Sequence, residues 1–186
     1  MNFNVHSNLA GHHAFLSPSS NAWVNYEEDK LDRVYFAMQE AKRGSELHAF
    51  AQMAIKHRIR QVNNRKTLNL YINDAIGFRM IPEQTLYYSE NCFGTCDAIA
   101  FEKSVLRIHD LKNGKTEASP RQLQVYAALF CLEYRHDPRM IDIQLRIYQN
   151  NEVLEIPHEP ADILYIMEKI RSLDKRIRHL RMEEMH

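Results

Sequence analysis

The chain has 186 residues, enough for one domain with a sizeable core. Its 24 Lys and Arg balance 24 Asp and Glu, so it lacks the overall basic charge usual for nucleic-acid binders. There is no apolar run of membrane-span length and no basic-then-apolar leader. Three cysteines, an odd number, fit reduced thiols better than a disulfide framework, so a soluble, cytoplasmic protein without a membrane partner is expected.

In chain order, Ser17-Pro18 predicts a helix start, with Pro18 at the first helical position and Trp23 carried inward. Asp29 to Lys42 predicts a second helix, with Leu31, Val34, Tyr35, Met38 and Ala41 at helical spacing. Gly44 is expected to break it. Ser45 then caps a helix to about Gln61, with Leu47, Phe50, Ala51, Ala54 and Ile55 as its buried stripe. His48 falls beside that stripe, where a lone histidine would bond backbone or water. Lys56 to Arg60 with Arg65-Lys66, and Lys175 to Arg181, are basic runs. Such runs are commonly solvated faces, and Arg58 and Arg60 are the cations in the first that could meet a nucleic acid.

Residues 66 to 80 read as a helix and Thr85 to Glu90 as a strand. Gly94 to Tyr126 predicts a hairpin followed by a helix, with a short turn near Glu102 to Ser104. On the second strand of the hairpin Leu106, Ile108, Asp110 and Lys112 share a face. On the first strand Asp97 shares one with Ile99 and Phe101. Pairing brings Asp97 near Asp110. Two close carboxylates repel unless a cation or a proton intervenes, and oxygen ligands suit Mg²⁺ or Mn²⁺. From strand patterning alone Asp110 and Lys112 read more readily as an ordinary ion pair at a strand end, with Asn113-Gly114 as a turn.

Gly94-Thr95-x-Asp97, Asp110-Leu111-Lys112 and Gln122-x-x-x-Tyr126, in this order, resemble the core signature of the PD-(D/E)XK nuclease superfamily, in its RecB-like and phage-exonuclease branch. Gly44-Ser45-x-x-His48 is similar to that branch's G-T/S-x-x-H. Leu16-Ser17-Pro18-Ser19-Ser20 with Trp23 is similar to the opening of phage members. The matches span about residues 15 to 135. The resemblance implies that Asp97, Asp110 and the Leu111 carbonyl hold Mg²⁺ or Mn²⁺, with His48 as a further ligand. Glu90 is the upstream acidic residue that some members add. Lys112 would orient the attacking water or steady transition-state charge, and Gln122 and Tyr126 would serve substrate or water. Lys115 and Arg121, beside these motifs, are further cations for nucleic acid.

Some relatives carry a four-cysteine iron–sulfur cluster, which three cysteines do not supply. Cys92, Cys96 and His109 could form a zinc site, although Cys96 and His109 are expected to point away from the face carrying Asp97 and Asp110. Ser119 and Gln122 have capping-box spacing, which offers Gln122 a purely structural role. Strands are predicted at about 140–148 and 153–156, and a last helix from Pro160 buries Ile163, Ile166, Met167, Ile170 and Leu173.

The expected fold is α/β: a mixed central sheet of about five strands flanked by helices, like a restriction-endonuclease core. A single nuclease domain over residues 1–186 is expected, with N-terminal helices at 17–80, a catalytic core at 83–136, and C-terminal strands and helix at 138–186. The function implied is a metal-dependent DNA exonuclease in phage or bacterial recombination, repair or processing, acting on single- or double-stranded ends as a homo-oligomer or with a recombination or helicase partner. Two alternatives stand beside it. One is a non-cleaving nuclease-fold subunit that binds DNA or assembles with others. The other is a metal or small-molecule protein in which Asp-Leu-Lys is accidental.

Overall fold

The computed structural model describes residues 14–114 and 119–184. They fall into two compact units, Met1–Arg43 and Gly44–His186. In the first, a 3₁₀ segment runs from Pro18 to Asn25. The Ser17 side chain does not cap it, and its hydroxyl bonds that of Ser19 instead. Trp23 remains half-exposed and donates its indole N–H to the Ser17 carbonyl at 2.9 Å, so the expected inward tryptophan is a brace for its own turn. Tyr35 meets Phe15 edge-on.

Helix α1 is continuous from Glu28 to Lys56. Gly44 therefore does not break it, contrary to expectation. A single glycine inside a helix costs only about 1 kcal/mol against alanine, and no proline follows to force an exit. The helix stops earlier than predicted because Arg58 turns left-handed, at φ 55°. The Ile59 N–H then reaches back to the Ala54 carbonyl at 2.8 Å and the Arg58 N–H to Ile55 at 3.1 Å. That is a Schellman-type closure with arginine where glycine is usual. Helix α2, Thr67–Gly77, closes the same way through Arg79, at φ 55°, with Met80 N–H on the Ala75 carbonyl.

The second unit is built on a five-stranded sheet in the order β1 (Ile81–Ser89), β2 (Cys92–Glu102), β3 (Val105–Leu111), β4 (Asp142–Gln149), β5 (Glu152–Glu155). All neighbours are antiparallel except β3 and β4, which run parallel with α3 (Pro120–Tyr134) connecting them. The mixed α/β architecture is as the sequence predicts. Helices cover both faces, so the strands are rich in aliphatics throughout. Leu106, Ile108, Ile143, Leu145 and Ile147 pack with Leu123, Ala127 and Phe130 of α3 and Ile163, Ile166 and Met167 of α4 (Pro160–Glu184). On the other face Ala98, Leu111 and Tyr148 pack with Ala51, Ala54 and Ile55 of α1 and Tyr71, Ile72 and Ala75 of α2. Leu173, expected in the buried stripe of α4, is exposed; Asp174 beside it is buried instead. Among the described residues no helix is long and apolar enough to cross a membrane.

Candidate metal centre

Asp97 sits on β2 where the strand departs from strict alternation. Cys96 and Ile99 pack on the α3 face and Ala98 on the α2 face, so two side chains that should share a face do not. The β2–β3 ladder begins only at the pair Ala98–His109, one residue beyond Asp97. The freed carboxylate turns across β3, where its Oδ2 accepts the Leu111 N–H at 2.7 Å. Its Oδ1 lies 3.5 Å from His48 Nδ1 on α1.

Glu83 completes a cluster that sequence reading missed. On β1 it lies between the pairs Pro82–Ala98 and Gln84–Cys96, directly across from Asp97. Its backbone is left-handed, at φ 51°, an uncommon state for a non-glycine residue and one that concentrates at functional sites. Glu83 Oε1 is 4.0 Å from His48 Nδ1. One ligand atom each from His48, Glu83 and Asp97 lies within 4.8 Å of the others. Glu90, expected in this role, is at the β1–β2 turn, and its exposed carboxylate reaches only towards Arg181 at 4.0 Å. It is seven residues from Asp97 along the hairpin, roughly 24 Å of strand. The Ser89–Cys92 turn alone would pair residue 83 with residue 98; a register shift between Tyr87 and Ser89 moves the ladder by one and sets Glu83 opposite Asp97, a detail that the hairpin's sequence does not announce.

Asp110 is 3% exposed. Lys112 Nζ donates to its Oδ1 at 3.1 Å and to Gln122 Oε1 at 3.2 Å. It also stands 3.0 Å from Asp110 Oδ2, out of hydrogen-bonding geometry, so this buried oxygen has no hydrogen-bond partner. Lys112 is fixed at its backbone too, where its N–H bonds the Tyr148 carbonyl at 2.9 Å. The Ser119 side chain makes no capping bond, so the capping-box role of Gln122 is not realised and its amide oxygen serves Lys112. Tyr126, one turn on, donates its hydroxyl to the Thr95 carbonyl at 2.6 Å. It thereby braces β2 beside Asp97.

The electrostatics of the cluster are those of too much negative charge with too little compensation. Burial raises the Asp110 carboxyl above its ordinary range, the charge of Asp97 adds to this, and Lys112 opposes it. Burial and then Asp97 likewise raise Glu83. His48 is raised chiefly by its contact with Asp97, against desolvation. A backbone hydrogen bond with Leu111 adds in the same direction. A bond that favours imidazolium is one the ring donates, so its acceptor is the Leu111 carbonyl. His48 thus faces both the acids and the carbonyl that the resemblance names. The carboxylates of Glu83, Asp97 and Asp110, the last with an oxygen that has no hydrogen-bond partner, together with one imidazole and a carbonyl, fit a hard divalent cation such as Mg²⁺ or Mn²⁺.

Other expected residues lie apart. Arg58 and Arg60 are exposed on the connection between α1 and α2, and Arg121 is exposed in the first turn of α3. Lys115 lies outside the described residues. Cys96 and His109 occupy opposite faces of the sheet and do not meet. Cys96 joins the α3 core, whereas His109 packs on Phe78 and holds the Tyr148 hydroxyl at 3.1 Å. Burial, with the charges of Arg146 and Arg107, pushes the His109 pKa down to about 3. No protein-family model, curated protein or solved structure matches the chain.

Proposed function

We propose that the chain is a divalent-metal-dependent deoxyribonuclease, an exonuclease that acts on DNA ends in phage or bacterial recombination, repair or processing. The observation that carries this reading is the convergence of His48, Glu83 and Asp97 beside the buried Asp110–Lys112 pair. His48, Glu83, Asp97 and Asp110, with the Leu111 carbonyl, would hold Mg²⁺ or Mn²⁺. Bound there, such an ion lowers the pKa of a coordinated water and offsets charge on the phosphoryl oxygens.

The chain's own groups supply the rest. Asp97 is oriented by the Leu111 N–H, so one oxygen stays fixed while the other faces His48. Lys112 is held between Asp110 and Gln122, which keeps its ammonium aimed along the carboxylate edge. From there it can orient the attacking water or donate to a developing negative charge. Gln122 positions Lys112, and Tyr126 positions the segment of β2 that carries Asp97.

The test is digestion of end-labelled linear and circular DNA, single- and double-stranded, with Mg²⁺, Mn²⁺ or EDTA. Metal-dependent loss of linear DNA alone, absent in Lys112→Ala, is the expected result. Cutting of circles would keep the site and replace exonuclease by endonuclease. No cutting under any condition, with intact folding, would overturn the proposal.

A further inference from the structure

A second charged feature lies at the far end of β3. A cleft of about 450 Å³ opens where the end of α2 meets the β2–β3 turn, lined by Phe78, Arg79, Glu102, Lys103 and Arg107 among others. Three cations face one carboxylate there. None of the three forms an ion pair among the described residues. The volume is that of a small-ligand site rather than a surface dimple.

Arg107 is the informative member. Its guanidinium stacks on the Phe78 ring, with Cζ 4.8 Å from the centroid. Arg146 also approaches that ring, at 5.4 Å, but it is satisfied: Glu155 lies 2.9 Å away and Asp74 3.9 Å. Arg107 has no such partner, and its Nε is buried without a hydrogen bond. A buried, unpaired donor on a charged group is costly to leave unmade. The ring holds the guanidinium plane in place, so its edge is fixed before any ligand arrives. Nε itself is closed to solvent, so an oxyanion in the cleft would take the Nη pair, the other bidentate edge that arginine offers. A carboxylate would use the guanidinium alone. Arg79 and Lys103, flanking it with no acids of their own, suit a ligand with more charge and more oxygens.

We propose that this cleft is a phosphate-binding site, centred on the Arg107 guanidinium edge with Arg79 and Lys103 as flanking cations. It is distinct from the metal centre. Arg107 lies three residues along β3 from Asp110, roughly 10 Å, and its side chain leaves the opposite face of the strand. The phosphate could be a free anion or part of a polynucleotide strand.

The test uses the full chain in EDTA, so neither metal nor cleavage enters the readout. The Arg107 Nε–H resonance is followed during titration with inorganic phosphate, against sodium chloride of matched ionic strength, and separately with a short single-stranded oligodeoxynucleotide. A saturable shift with phosphate and none with chloride is expected. Arg79 and Lys103 both hold positive φ, so asparagine, which tolerates that backbone, replaces them. The Arg79→Asn/Lys103→Asn protein should bind phosphate about tenfold or more weakly. Arg107→Lys, with phosphate binding read by isothermal titration calorimetry, keeps the charge, loses the fork, and should lose binding while melting at nearly the same temperature. An oligonucleotide shift would extend the site to phosphodiesters, and a shift with phosphate alone would confine it to the free anion. No shift with either probe, or unchanged affinity in the double variant, would overturn the proposal.

Discussion

The Tyr126 hydroxyl donates a 2.6 Å hydrogen bond to the Thr95 carbonyl, and its ring lies so close to Gly94 that an added Cβ would come within 3.1 Å of Cε1. Held at its hydroxyl end, the ring has little freedom to yield. Gly94→Ala is expected to destabilise the protein by about 1–3 kcal/mol through overpacking. In a Tyr126→Ala background the same change should cost little, because the obstructing ring is gone. Thermal melting of the four proteins reads this coupling directly. Additive effects would show that the contact is not strained.

Glu83 and Glu90 make a clean pair for testing the metal centre. Glu83→Gln removes a charged ligand and should weaken Mn²⁺ binding on the order of tenfold or more, as even supporting residues of metal sites do. Glu90→Gln, at the far turn, should leave affinity unchanged. Isothermal titration calorimetry with Mn²⁺ separates the two, and equal affinities would remove Glu83 from the ligand set.

Lys112→Ala is expected to lower the cleavage rate on the order of 10²-fold, about 3 kcal/mol of transition-state stabilisation, if its ammonium meets developing charge. Gln122→Ala should cost less, since it removes the brace and leaves the ammonium. A Gln122 loss as deep as that of Lys112 would mean that the glutamine itself touches substrate.

Asp174 supplies a pH prediction away from the metal centre. Its Oδ1 accepts from Ser89 Oγ at 2.6 Å and from Asn91 Nδ2 at 2.8 Å, and Arg178 pairs with Oδ2. The hydrogen bonds from Ser89 and Asn91, aided by Arg178, hold its pKa down to about 2. A depressed carboxyl contributes stability that is present above the unfolded value, about 3.9, and lost as pH falls through the folded value. The urea midpoint of the native protein should therefore exceed that of Asp174→Asn at pH 7, and the gap should narrow between pH 4 and pH 2. A constant gap would show that the carboxylate's charge is not what matters.

Much of this arrangement is legible in the sequence because strand alternation and helical spacing are strong signals. Leu106, Ile108 and Asp110 follow one face, and the β3–α3–β4 crossover follows from a helix set between two predicted strands. Of the residues the sequence singles out, His48 meets Asp97, and Asp110 pairs with Lys112 at the end of β3. What escaped depends on register and backbone detail. Glu83 sits at a left-handed residue inside a strand that sequence reading began four residues too late. Glycine's low helix propensity predicts a break at Gly44. Its place instead is beside Asn113, whose amide a Cβ would approach to 3.1 Å. The missing side chain lets α1 pass close to the end of the Asp-Leu-Lys strand. The capping box failed because Gln122 had a stronger partner, an ammonium, within reach.

The left-handed kink at Pro82-Glu83 has a consequence beyond ligation. β1 is an edge of the sheet and exposes Ile81 and Tyr87, the kind of open apolar border that invites a second chain to add a strand and aggregate. Pro82 offers no N–H to such a visitor, and the kink at Glu83 bends the next groups out of line. The two residues that aim a carboxylate at the metal centre thus also guard the sheet against its own copies.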